Sequence, residues 1–214
     1  MRVNAEEKLA AILIAEVADY ADLIRHDRAG AEARLQLYHH EVIDAAIAVY
    51  GGRIFELAPE WTLAEFTSPL AAVRCAVEIQ ADLARRMADV PAAERIRLRI
   101  GIHYGLALVE RGVLTGEALT IAKRVQALAD AGEICVSRTV VDAVKKRVGH
   151  GFTDVTGLDR PAPKAGLAFR LEPAPDALRR RAPGWLGSLG RLLLTAMLAA
   201  AAIWLALTEG RPGP

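Results

Sequence analysis

The stretch Gly51–Phe66, GGRIFELAPEWTLAEF, constrains the chain more than any other. Ile54, Phe55 and Leu57 precede Ala58-Pro59-Glu60-Trp61, and Thr62, Leu63 and Phe66 follow it. These β-favouring side chains predict two strands folded back on each other, with the turn at Ala58–Trp61. Gly51-Gly52 separates the pair from what precedes it. Glu60 falls at the tip, where a carboxylate can reach a metal. A second carboxylate, Glu16, follows the apolar run LAAILIAEV. Two strand-end carboxylates facing one another can hold a divalent cation over a nucleoside triphosphate. Two solvated acids beside a hairpin is the other reading of Glu56 and Glu60.

Lys8–Val17 is an apolar run of strand length, which predicts a strand buried on both faces. From Ala21 the pattern is helical: Leu35, Tyr38, Val42, Ala45 and Val49 recur at three and four, up to Gly51. A second helix starts at Ser68, an N-cap with Pro69 at the first position. Val73, Ala76, Ile79, Leu83 and Met87 give it an apolar stripe. In ERIRLRIGIHYGLALVERG, Arg95, Arg97 and Arg99 alternate with Ile96, Leu98, Ile100 and Ile102, a strand with one wet face. Helices are expected over Gly116–Ala131 and, capped by Ser137, over Ser137–Val148. Strands are expected over Glu133–Val136, Phe152–Thr156 and Leu167–Leu171. The order is β-α-β-β-α-β, then α-β-α-β-β. The first six elements match a ferredoxin-like α+β sandwich, with helices on one face of an antiparallel sheet.

Charge is balanced, with 27 basic and 26 acidic residues, which gives no electrostatic ground for a nucleic-acid partner. Cys75 and Cys135 stand in apolar surroundings and read as buried small hydrophobes. The five histidines have no metal-ligand spacing, and His39-His40 reads as an exposed helix face. Met1–Lys8 is polar and charged, unlike a signal peptide.

Residues 1–172 are expected to form one domain, followed by a Pro- and Arg-rich linker over 173–184. Residues 185–207 then read as a transmembrane helix, and 208–214 as a tail. Leu192–Leu207 is uncharged, and extension back to Trp185 gives about 34 Å of helix, enough for a hydrocarbon core of about 30 Å. Arg191 would snorkel to the interface, where Trp185 and Trp204 also fit. Arg179, Arg180, Arg181 and Arg191 precede the apolar core and only Arg211 follows it. The expected protein is therefore single-pass in the inner membrane, with its N-terminal domain cytoplasmic.

The segments AAILIAEVADYADLI, GGRIFELAPEWTLAEF with LAAVRCAVEIQ, and RIGIHYGLALVERGVLTGEALTIAKRVQALADAGEICVSRTV resemble the class III nucleotidyl cyclase catalytic domain. The resemblance covers roughly Leu9–Leu171. It implies a ferredoxin-like core and a dimer, of identical or related cyclase-domain subunits, with sites at the subunit interface. It also implies synthesis of a cyclic nucleotide and pyrophosphate from ATP or GTP, with two Mg or Mn ions held by two aspartates. The family's metal positions fall on Glu16 and Glu60. Its phosphate-contacting loop falls on Val17–Ala21, including Asp19 and Tyr20. Its base-selecting positions fall on Glu56 and Val113, its ribose-orienting asparagine on Thr120, and its phosphate-stabilising arginine on Arg124. Only Arg124 is unchanged.

Each metal carboxylate gains a methylene, and misplacement by about an ångström can cost ~10²-fold in rate. Trp61 takes the place of a glycine whose φ would be positive, and Pro59 fixes a second φ, so the turn must be reshaped. Two functions are compatible with these residues. One is a catalytically impaired, membrane-anchored dimeric regulatory module that needs no metal. The other is an active cyclase with its two ions on Glu16 and Glu60. An RNA-binding ferredoxin-like module would need paired aromatics on a central strand, and RIRLRIGIH has none.

Overall fold

Strand β1 (Ala5–Val17) lies inside the sheet, apolar on both faces because both faces are covered. The computed structural model describes residues 5–155 and 168–172. After β1 come α1 (Tyr20–His26), α2 (Arg28–Tyr38), a π-helical turn (His39–Asp44) and α3 (Ala45–Val49). Strands β2 (Arg53–Ala58) and β3 (Trp61–Phe66) form the predicted hairpin, and α4 (Pro69–Arg86) leads to β4 (Leu98–Glu110). Then follow β5 (Val113–Thr115), α5 (Glu117–Gln126), β6 (Ile134–Ser137), α6 (Arg138–Val144), β7 (Phe152–Asp154) and β8 (Ala168–Leu171). The sheet order is β2-β3-β1-β4-β6-β8-β7, with β5 paired to β4. The order 2-3-1-4 in the first four strands is the ferredoxin-like arrangement. Among the described residues every strand pairing is antiparallel except β4–β6.

Alternation along β1 sorts the core into two layers. Ala11, Leu13, Ala15 and Val17 face α2, α3, α4 and α6 through Leu35, Ile47, Val73, Ile79 and Val140. Ala10, Ile12 and Ile14 face the other way, onto Leu63, Leu114 and the small residues Ala118 and Ala122 of α5. Each fully buried Leu or Ile contributes about 1.5–3 kcal/mol, so a register slip in β1 would lose both layers. Among the described residues helices therefore cover both faces, not one as expected, with α5 alone on its side. That position decides the site.

Several local expectations are corrected. The helix predicted from Ala21 to Gly51 is broken at Asp27, whose backbone is extended and whose Oδ1 accepts the Gly30 N–H at 3.0 Å. A short acidic side chain that bonds its own backbone favours a cap over a helix interior. The π-helical turn adds a second interruption. His39, expected on an exposed face, is buried there. Strand β4 starts at Leu98, not at Arg95, because Arg95 turns back to donate to Val90 O at 2.7 Å and Ala88 O at 3.2 Å. Strand β5 follows a tight turn at Arg111-Gly112, both with positive φ, that the sequence reading passed over.

Ser68 caps α4 as expected, accepting from the Ala71 N–H at 3.5 Å. Ser137 precedes α6 but makes no side-chain cap. Its hydroxyl is bonded elsewhere: His103 Nδ1–H donates to Ser137 Oγ (2.9 Å), Ser137 donates to Thr139 Oγ1 (2.9 Å), and Thr139 donates to Tyr104 O (2.6 Å). Burial holds His103 below its ordinary pKa, partly offset by Glu117, so the neutral ring suits this chain of donors. Cys75 and Cys135 are buried free thiols, and burial pushes Cys75 up to about 12. The segment expected to cross a membrane, 185–207, lies outside the described residues. Among the described residues no helix is long and apolar enough to do so.

Candidate functional site

The hairpin tip is a two-residue turn, Pro59-Glu60, closed by the Ala58–Trp61 pair. Neither tip residue has a positive φ, and Trp61 lies in β3 as ordinary strand. The turn is thus reshaped as expected, around the fixed φ of Pro59 and with no positive φ at Trp61. Three hydrogen bonds fix the tip. Val17 N–H donates to Glu60 O at 2.7 Å. His39 Nε2–H donates to Pro59 O at 3.3 Å, and Thr62 Oγ1 donates to His39 Nδ1 at 3.4 Å. The buried histidine of the π-helical turn thus orients the tip against the end of β1.

Glu16 pairs across the β1–β3 ladder with Trp61, next to Glu60. Both glutamates line one open pocket of about 240 Å³ with Ile14, Trp61, Lys123 and Gln126. The two predicted metal positions do converge. Lys123 and Gln126 were missed by sequence reasoning. Gln126 is buried and donates its amide N–H to Glu16 Oε2. Lys123 Nζ lies 5.5 Å from the centroid of the Trp61 ring. Gly101 makes this possible: a Cβ there would fall on the backbone of Gln126, so only glycine lets α5 approach β4 so closely.

The other predicted residues lie apart from this pocket. Thr120 and Arg124 share an exposed face of α5 and do not line this pocket. The Thr120 hydroxyl donates to Gly116 O at 3.2 Å. Glu56 is exposed on the edge strand β2, and Val113 is 60% exposed on β5. In the loop after Glu16, the Val17 and Ala18 N–H groups are taken by Glu60 O and Arg97 O. Asp19 adopts a left-handed backbone and pairs with Arg97 at 2.9 Å and Arg99 at 3.4 Å. The arginine stripe thus serves Asp19 and is more than a solvated face. Tyr20 lines a separate groove of about 510 Å³ with His39, His40 and Pro59.

A magnesium-like ion takes near-octahedral oxygen ligation. Here two carboxylates share their pocket with an ammonium and with an amide N–H already directed at Glu16. This donor set does not fit a two-metal centre.

No protein-family model matches the chain. A solved structure from Silicibacter pomeroyi, an adenylate/guanylate cyclase/hydrolase, is 38% identical with a TM-score of 0.72, over 79% of this chain and 99% of that one. The chain belongs to the class III adenylate/guanylate cyclase catalytic-domain family. "Putative adenylate cyclase 3" of Rhizobium meliloti (strain 1021) is 32% identical over 163 residues, 74% of this chain. The match spans only 28% of that relative's length. The adenylyl cyclase CyaB of P. aeruginosa, at 15% identity and a TM-score of 0.67, shares the fold over 80% of this chain and 97% of that one.

Proposed function

We propose that this protein is a membrane-anchored, dimeric cyclase-homology module of cyclic-nucleotide signalling, with turnover weak or absent. The observation that carries the reading is the pocket itself: Glu16 and Glu60 converge, but on Lys123 and Gln126. The residues at the base-reading positions, Glu56 and Val113, are exposed and outside it. The anchor rests on the apolar segment 185–207, and its arginine bias supports a cytoplasmic domain. Dimerisation rests on family membership and on the exposed Thr120–Arg124 face of α5, available to a second cyclase domain.

Converging carboxylates favour a second reading, an active cyclase acting on ATP or GTP with Mg or Mn. One assay decides between them: purified protein with Mn²⁺ and either nucleotide, scored for cyclic product. Absent or trace product is expected. Brisk turnover abolished by Arg124→Ala would establish the second reading.

A further inference from the structure

We infer that Lys123 is the resident counter-ion of the Glu16–Glu60 pair and keeps divalent metal out of this pocket. The inference deepens the proposed function and rests on its reading of the pocket as the degenerate metal site. Three observations carry it. Lys123 lines the same pocket as both glutamates, and its ammonium stands over Trp61, which is paired in the ladder with Glu16. Gln126, one helical turn further along the same face of α5, binds Glu16 directly. Gly101 lets α5 approach β4 closely at that point, which brings Gln126 to the sheet.

The charge arithmetic follows. Two carboxylates attract a divalent ion, and an ammonium lining the same pocket repels it with twice the force it would exert on a monovalent ion. Arg124 is the next residue on the helix but does not line this pocket. The effect is therefore specific to Lys123 and not a general consequence of basic residues on α5.

The test is Mn²⁺ binding to the full-length protein, without nucleotide, by loss of the free-ion electron paramagnetic resonance signal. Wild type should bind Mn²⁺ no better than the Glu16→Gln/Glu60→Gln variant. Lys123→Met, which keeps the stem and removes the charge, should gain about tenfold or more in affinity. Lys123→Arg should behave as wild type, and Glu60→Gln added to Lys123→Met should erase the gain. Trp61 emission offers a second readout in a Trp185→Phe/Trp204→Phe background, since bound Mn²⁺ would quench it only in the Met variant. Tight binding by wild type at Glu16 and Glu60 overturns the inference, as does equal gain in the Met and Arg variants or no gain in either. Turnover tests the functional reading separately: an inactive Lys123→Met protein that fails to bind Mn²⁺ sinks this inference and leaves the impaired module standing.

Discussion

Gly101 offers the sharpest test of how this fold builds its pocket. Gly101→Ala adds one methyl group where the obstacle is the Cα and N of Gln126, which are backbone and cannot swing aside. The α5 residues facing the sheet, Ala118 and Ala122, are already small, so the helix cannot rotate to make room without losing their contacts. Overpacking a filled core costs typically 1–3 kcal/mol, and the rigidity of this neighbour puts the change near about 3 kcal/mol. For a domain of this size each kcal/mol moves the melting midpoint by about 2–4 °C, which gives a fall of roughly 6–12 °C. Circular dichroism thermal scans of the purified parent and variant measure it. Displacement of α5 should also draw Gln126 away from Glu16 and change Trp61 emission, since Lys123 lies over that ring. If Gly101→Ala melts with the parent and its Trp61 spectrum is unchanged, the close approach of α5 to β4 is not what holds the pocket together.

Three further outcomes are expected. Membrane fractions should retain the full chain through carbonate and high-salt washing, and truncation after Arg181 should release it; full-length protein in the soluble fraction would remove the anchor. Light scattering on that truncated protein should give a dimer at micromolar concentration, weakened by Arg124→Glu at the exposed face of α5; a strict monomer at high concentration would exclude the dimeric module. Stability should decline with acid partly through His103. Its folded pKa lies below the unfolded value of about 6.5, so its contribution is fully present above that pH and is lost as pH falls from there through the folded pKa. His103→Gln should flatten this part of the urea midpoint–pH profile, and an unchanged profile would show that another group titrates there.

Much of the fold was legible because hydrophobic pattern and turn chemistry agreed. Lys8–Val17 reads as a doubly buried strand, Pro59-Glu60 as a hairpin tip and Ser68-Pro69 as a helix start, and all three hold. What escaped depended on a side chain's choice of partner. Asp27 breaks a helix that periodicity alone continues, by accepting its own loop's N–H. His39 looks like surface beside His40 until the hairpin tip comes down on it. Ser137 looks like a cap, yet its hydroxyl completes a relay from His103.

The site was half legible for a related reason. Position-by-position comparison names the residues a family uses, and so it pointed at Thr120 and Arg124. It says nothing about neighbours one step around the helix. On α5 the buried stripe is Ala118, Ala122 and Val125, and residues on either flank of that stripe face different surroundings. Thr120 and Arg124 are exposed and lie outside the pocket, whereas Lys123 and Gln126 line it beside the carboxylates. One helix therefore carries two separable messages. On the proposed reading Arg124 serves a second copy, while Lys123 and Gln126 face the acidic pair of their own chain. On that reading a chain can keep a cyclase-type dimer while nitrogen donors make up part of the lining of its carboxylate pocket. The two properties should respond independently: Lys123→Met should alter metal binding without affecting dimerisation, and Arg124→Glu should do the reverse.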